Sequence, residues 1–164
     1  MASGDTLLQF RPLCNEPPAT IYALLDTRNS HPILCFDDTT NWSAVFSAIM
    51  PQHYSDATGV TVYIHYAMAT AEADTIDWDV AFERIGDQQQ DIDADGFAAV
   101  QSVDNTTVPG TSGLVDIVSI AFTKGAQMDS VVKGEGFRLK ITRDAVNDDA
   151  TGDGQILFVE IRET

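Results

Sequence analysis

Apolar residues in this chain recur mainly at every second position, and this spacing restricts the fold more than any other feature. In a β-strand successive side chains point to opposite faces of the sheet, so such a pattern buries one face and leaves the other in water. The alternation is clearest in four segments, which are Gly59–Met68, Thr75–Ile85, 137–142 and 155–162. In the last segment we expect Leu157, Val159 and Ile161 to face the core. The sequence therefore predicts amphipathic strands of antiparallel type.

Four less regular segments raise the expected count to about eight strands, and clusters of Pro, Gly, Asn or Asp bound each of them. They are 33–36, 42–49, 97–103 and 114–122. The stretch 126–133 breaks this rhythm, because its apolar residues have helical spacing and Gly134 stands where a short helix would end. We predict an all-β fold, an antiparallel jelly-roll-like sandwich of about eight strands with one short helix; a closed barrel is the alternative.

Size and charge limit the class of protein. A chain of 164 residues with 44% apolar residues fits one domain with a continuous core. Its 25 acidic and 9 basic residues give a formal net charge of -16, which opposes binding to nucleic acid or to an anionic membrane surface. The first residues lack the basic and apolar regions of a secretory signal. We therefore expect a protein made in a cytoplasm, with no nucleic-acid or membrane partner.

The first thirty residues differ from the rest of the chain. Prolines at positions 12, 17 and 18 favour an extended path, so we expect residues 1–30 to form an extended N-terminal arm and residues 31–164 to form the jelly-roll domain. Within the arm, Leu7, Leu8 and Phe10 are too apolar to remain in water. We expect them to dock on this domain or on a neighbouring protein, which makes them candidate partner contacts.

A run of alternating carboxylates suggests a calcium loop. Asp91, Asp93 and Asp95 precede Gly96, and oxygen ligands at every second position can converge on one cation where glycine lets the chain bend. The twelfth position of such a loop is Ser102 instead of the usual bidentate Glu. Two interpretations stay open, a calcium site formed by the three aspartates and an acidic solvated turn.

Motifs of catalysis are missing from the sequence. The three histidines stand far apart and none has a metal-binding spacing, and there is no nucleophile elbow, P-loop or dinucleotide fingerprint. We therefore predict a protein that is not an enzyme and that needs no cofactor apart from the calcium considered above. A glycan-degrading enzyme would need two carboxylates about 5–10 Å apart, and among 25 acidic residues the sequence does not single out such a pair.

Basic residues gather near the C-terminus, where six of the nine lie after position 123. Three of them, Arg138, Lys140 and Arg143, are candidate partner contacts, because complementary charged patches orient proteins that pack together. The alternative is that these cations only offset neighbouring carboxylates such as Glu135 and Asp144. The sequence does not decide between the two.

Three segments carry a family resemblance, which are LDTRNSHP at 25–32, IAFTKGAQMDS at 120–130 and GEGFRLKITRD at 134–144. They resemble segments of small jelly-roll structural proteins of tailed bacteriophages and prophages. The resemblance implies a structural virion protein, either a capsid decoration (cement) protein or a tail-associated one. In the first case the chain would assemble as a homotrimer on the capsid surface and clamp adjacent subunits of the major capsid protein.

A different function fits the same fold. Jelly rolls also serve as receptor- or carbohydrate-binding modules of a tail or fibre. Exposed aromatic rings such as those of Trp42, Tyr54 and Tyr63 could stack on a sugar, with Asp and Asn in nearby loops as hydrogen-bond partners. The alternative for each ring is ordinary packing in the core.

Overall fold

The structure, a computed structural model, describes residues 4–164. Strands account for nearly all of its regular structure. They are β1 (Thr6–Phe10), β2 (Leu24–Arg28), β3 (His31–Phe36), β4 (Ser43–Ile49), β5 (Gly59–Met68), β6 (Thr75–Ile85), β7 (Gln101–Thr107), β8 (Val115–Thr123), β9 (Gly136–Arg143) and β10 (Gly154–Glu163). Two single 3-10 turns, Pro12–Cys14 and Ala126–Met128, are the helical elements of this part of the chain.

The strands form two antiparallel sheets that pack face to face. The larger sheet has the order β2-β3-β10-β5-β8, with β1 also paired to β10, and the smaller has the order β4-β9-β6-β7. This confirms the predicted all-β, jelly-roll-like sandwich, and the two sheets do not close into one barrel. Two more strands are present than the eight expected, because β1 and β2 come from the segment predicted to be an arm.

The core lies between the sheets and follows the alternation seen in the sequence. On β5 the residues Val60, Val62 and Ile64 are fully buried, while Tyr63 and His65 face outward and are partly exposed. Aromatic rings join the two sheets, since the Phe36 and Trp78 centroids lie 5.2 Å apart in an edge-to-face arrangement. Such rings supply much of the apolar area that stabilises a sandwich.

The outer face of the smaller sheet is covered in part by the segment between β6 and β7. Ala98 donates its backbone N–H to the carbonyl oxygen of Phe82 at 2.8 Å, and the Phe97 ring packs on outward cations of β9. As a result Glu83 of β6, whose carboxylate bonds Arg138 on this face, is only 4% exposed.

The predicted N-terminal arm is part of the larger sheet. Strand β1 pairs with β10, and Leu7 and Phe10 are buried in the sandwich core. The predicted boundary after residue 30 falls inside the β2–β3 hairpin, whose loop residues Asn29 and Ser30 have φ of 46° and 65°. Left-handed residues are what a two-residue hairpin loop requires, and Asn tolerates them well. Residues 1–3 of the predicted arm lie outside the described residues.

The helix predicted for 126–133 is one 3-10 turn. Asp129 and Ser130 adopt φ of 52° and 61°, and such left-handed residues end a right-handed helix. Gly134 has φ of 81°, but it does not end the helical turn, which stops at Met128. Within residues 4–164 no helix is both long and apolar enough to span a bilayer.

Candidate ligand-binding site

A β-bulge in β10 creates an apolar platform on the outer face of the larger sheet. Ile156 pairs with Tyr66, but the next pair joins Phe158 to His65, so Leu157 is an extra residue. A bulge changes the direction of side chains along a strand. Leu157 and Phe158 consequently both line surface cavities on this side, and Phe158 is 37% exposed. The expectation that Leu157 faces the core is wrong, because Ile156 takes that place.

A gap in the strand pairing lies beside this bulge. Along one edge of β10, β3 pairs with residues 154–156 and β1 pairs with residues 159–162. Between them the chain leaves β1 at Arg11, and Pro32 near the start of β3 has no N–H to donate. Neither strand fills the space beside Leu157 and Phe158.

The gap forms a groove of two adjoining cavities, of about 290 and about 220 Å³. His31 and Leu157 line both cavities. Together the two volumes reach the range of about 300–1,000 Å³ that is usual for small-molecule sites. We call this site the outer-face groove, and its lining residues are Arg11, Arg28, Asn29, His31, Pro32, Ile33, Ala67, Gly113, Val115, Gln155, Leu157 and Phe158.

Arg28 is held rigidly in the wall of the larger cavity. Its Nη1 donates to the carbonyl oxygen of Met68 at 2.9 Å and to Oε1 of Gln155 at 2.8 Å, and its Nη2 donates to Oγ of Ser112 at 2.7 Å. A Cβ at Gly113 would lie 2.9 Å from that Nη2. Glycine at this position therefore leaves space beside a guanidinium that other residues hold in place.

Aromatic rings continue beyond the groove along the outer face. The Arg11 guanidinium lies 5.8 Å from the Phe158 ring centroid, and the His65 ring lies 6.0 Å from it, edge on. Further along, Arg162 lies 4.1 Å from the centroid of Tyr63. Cations stacked on rings keep both groups in place at the surface.

Of the three aromatic residues proposed from the sequence as sugar platforms, Tyr63 lies on this open face. Tyr54 is buried and contacts Sδ of Met128 at 3.7 Å, and Trp42 packs against the core. For these two rings the ordinary packing interpretation is the one the structure supports.

One carboxylate, Glu160, sits on the outer face between the rings and is fully engaged. It accepts hydrogen bonds from Arg162 Nη2 at 2.7 Å and from the hydroxyl of Thr6, and His65 Nε2 lies 3.8 Å away. The hydrogen bond from Arg162 holds the pKa of Glu160 below its usual value. This carboxylate is therefore ionised at neutral pH and its charge is balanced locally.

Charge is distributed unusually in the groove. The chain has 25 acidic residues, yet none of them lines either cavity. Two of its nine basic side chains, Arg11 and Arg28, and the imidazole of His31 do. The outer-face groove is thus a locally cationic surface on a strongly anionic protein.

Two of the three carboxylates predicted to bind calcium, those of Asp91 and Asp95, accept backbone hydrogen bonds within an exposed turn. Asp95 Oδ2 accepts the backbone N–H of Asp91 at 2.8 Å, and Asp91 Oδ1 accepts the N–H of Asp93 at 3.0 Å. Within residues 4–164, these three side chains do not form a group with the spacing of a cation site. The arrangement corresponds to the acidic turn that was the alternative.

Three other carboxylates do come together. Ligand atoms of Asp37, Asp38 and Asp153 lie within 4.8 Å of one another. Burial raises the pKa of Asp153, and the charges of the two neighbouring aspartates raise it further. The cluster was not evident from the sequence, because Asp153 lies more than a hundred positions from the other two.

The cations expected to contact a partner are largely occupied within the chain. Arg143 is fully buried, so its predicted contact with a partner is wrong. It is the fourth inward residue in the alternation of β9, after Phe137, Leu139 and Ile141. The other two are partly exposed and lie over the Phe97 ring, and Arg138 also bonds Glu83 at 2.7 Å.

The apolar residues expected to contact a partner are also internal. Leu7 and Phe10 are 7% and 5% exposed and belong to the core, and Leu8 packs against it from a partly buried position. The Phe10 ring stacks on Phe46 of the smaller sheet at 5.2 Å. The sequence left open whether these residues dock on their own domain or on a neighbouring protein, and in the structure they pack on their own domain.

Sequence reasoning missed most of the groove, although one signal was present. Ile156, Leu157, Phe158 and Val159 form a run of four apolar residues, which a regular strand with one wet face does not accommodate. The run therefore indicates an irregularity at this point. The position of Arg28 above Gln155 has no comparable signal, because it depends on the hairpin folding back on β10.

No protein-family model and no curated protein matches the chain. Among solved structures, a family 35 carbohydrate-binding module from an environmental isolate aligns with a TM-score of 0.54 and 8% identity, over 94% of this chain and 92% of that one. One from Clostridium thermocellum aligns with a TM-score of 0.54 and 10% identity, over 96% and 99%. A family 11 carbohydrate-binding module from Clostridium thermocellum, in complex with a β-1,3-1,4-mixed-linked tetrasaccharide, gives 0.51 and 10%, over 100% and 98%. At these identities the likeness establishes that the chain has the β-sandwich fold of these modules.

Proposed function

We propose that the protein is a carbohydrate-binding module and that the sugar lies in the outer-face groove. The observation that carries the proposal is the platform of Leu157 and Phe158 beside fixed polar side chains. Sugar rings have apolar C–H faces that pack on such platforms, while their hydroxyl groups need donors and acceptors of set geometry. Arg28 and Gln155 supply a guanidinium and an amide that are already bonded to each other. The groove binds its ligand without catalysis.

The likeness to carbohydrate-binding modules supports this proposal at the level of the fold. Two families of such modules share the chain's architecture over nearly its whole length, and one was solved with a tetrasaccharide bound. Since identity is about a tenth, no residue role is transferred from them. The proposal about the site rests on the groove itself.

Replacement of Phe158 tests the proposal. F158A removes an exposed ring and leaves the core intact, so we expect saccharide binding to weaken about tenfold, the effect of roughly 1.4 kcal/mol. The matched control is I49A, which removes a 61% exposed apolar side chain from the smaller sheet. A glycan array selects a ligand, and calorimetry then compares the variants. Failure of the wild type to bind any glycan, or equal binding by F158A, would contradict the proposal.

A second candidate function comes from the resemblance to phage structural proteins. In this proposal the chain is a virion protein on the capsid surface, a homotrimer bound to the major capsid protein, with no nucleic-acid or membrane partner. Its support is an exposed apolar surface beside edge strand β2, formed by Leu13, Ile21, Tyr22, Leu24 and Leu25. Light scattering should then report a trimer, and L25E should dissociate it. A wild-type monomer that binds no particle would contradict this function.

A further inference from the structure

We infer that the outer-face groove selects a saccharide whose sugars carry carboxylates, such as an oligouronide. This inference rests on the proposed function and adds the class of ligand to it. The groove lining contains two arginines and one histidine and no acidic residue. On a chain with a formal charge of -16, a surface without carboxylates is a specific feature of the site.

The net charge of the protein does not prevent such binding. At an ionic strength near 0.1 M, charges more than about 10 Å from the ligand are largely screened, so the local cations dominate. Two carboxylates near the groove, Glu160 and Asp26, already accept hydrogen bonds from protein donors. Glu160 is bonded by Arg162, and Asp26 accepts a backbone N–H at 2.7 Å.

The geometry of Arg28 suits a carboxylate in particular. A guanidinium has five N–H groups, and three of them are donated to protein atoms within residues 4–164. The remaining two belong to Nε and Nη2, the pair that can bind one carboxylate with two hydrogen bonds. Gly113 keeps the space beside Nη2 free of a side chain.

Each cavity has a cation of its own. Arg28 lines the larger cavity, Arg11 lines the smaller one, and His31 lines both. One carboxylate for each cavity implies a ligand with acidic groups on successive sugars. A single neutral sugar would offer the two arginines only hydroxyl groups and no negatively charged partner.

Calorimetry with three matched probes tests the inference. They are trigalacturonate, its methyl ester and galactotriose, measured with the whole chain. We expect trigalacturonate to bind at least tenfold more tightly than the other two, because each charge-assisted hydrogen bond contributes more than about 1.4 kcal/mol. Raising NaCl from 50 to 500 mM should weaken the acidic probe several-fold and leave neutral probes unchanged.

Variants then assign the effect to the groove. R11Q and H31Q change exposed side chains, and each should weaken trigalacturonate binding about three- to tenfold more than it weakens galactotriose binding. R28K keeps the charge but loses the two-pronged geometry, and its fold can be checked by circular dichroism. The control is K133Q, which removes one exposed charge at the opposite end of β5, about 30 Å away, and should change nothing.

The outcomes separate the two levels of the proposal. Binding of galactotriose as tightly as trigalacturonate would overturn the inference and keep the carbohydrate function. Absence of binding to any saccharide would overturn both. Equal binding of poly-glutamate would also overturn the inference, because the site would then respond to negative charge alone.

Discussion

The buried ion pair between Arg143 and Asp148 gives a sharp prediction about stability. Both side chains are essentially inaccessible, with exposures of 0% and 1%, and they form two hydrogen bonds of 2.8 and 3.1 Å. The guanidinium also donates to the carbonyl oxygens of Gly152 and Ala150. The pair therefore anchors the connection between β9 and β10 to the core through the fully buried side chain of Arg143.

The expected cost follows from this geometry. Removing one partner of a buried pair leaves an uncompensated charge and typically costs about 3–5 kcal/mol. D148N keeps one acceptor oxygen and Arg143 keeps its carbonyl partners, so we expect about 3 kcal/mol, or about 6–12 °C in Tm. R143M should cost about the same or more. The double variant R143M/D148N removes both charges and should lose at least about 2 kcal/mol less than the sum of the single changes.

Urea unfolding followed by tryptophan fluorescence measures these free energies, because Trp78 is fully buried and becomes exposed on unfolding. The control is R84M, which breaks a partly solvated ion pair with Glu135 and should cost no more than about 1 kcal/mol. If D148N cost no more than R84M, or if the double variant were additive, the reasoning about the buried pair would be refuted.

Three further predictions concern a thiol, a glycine and an acidic cluster. Burial raises the pKa of Cys35 to about 11, so iodoacetamide at pH 8 should label only exposed Cys14 quickly in the folded protein; rapid labelling of both thiols would contradict this. Gly59 has φ of 137°, and an added Cβ would lie 2.0 Å from a carbonyl oxygen of β8. G59A should therefore lower the free energy of unfolding, measured in urea, by at least about 2 kcal/mol. The control is G96A, which has open space around it and should lower the free energy of unfolding by less than about 0.5 kcal/mol. The pKa of Asp153 is raised from 3.8, so ionisation of this carboxyl opposes folding. D153N should therefore raise Tm at pH 7, and this gain should disappear as the pH falls toward 3.8. An equal gain in Tm at both pH values would show that ionisation of Asp153 is not its cause.

The local pattern of the sequence was sufficient to predict the strands and their inward faces. The alternation on β5 assigns Val60, Val62 and Ile64 to the core because side-chain direction in a strand repeats every two residues. The same parity places Arg143 inward, after three apolar residues at every second position. Its burial was therefore readable in principle, although charge suggested the surface.

Features that depend on distant pairing could not be predicted in this way. Strand β1 pairs with β10, whose partner residues lie about 150 positions later, and the segment after β6 covers the smaller sheet through a single aromatic residue, Phe97. The groove forms where three structural features meet, which are the bulge at Leu157, the end of β1 and the β2–β3 hairpin that folds back on β10. None of them has a period or a motif in the sequence beyond the apolar run at 156–159.

The bulge at Leu157 also has a consequence for how such a site can arise. Because the extra residue joins two halves of β10 that each keep their own inward side chains, deletion of one codon would connect Ile156 to Phe158 in regular register. The core residues would stay in place while half of the platform disappeared. A platform of this kind can be gained or lost in one mutational step, so the fold and the proposed ligand site of this chain are free to evolve at different rates.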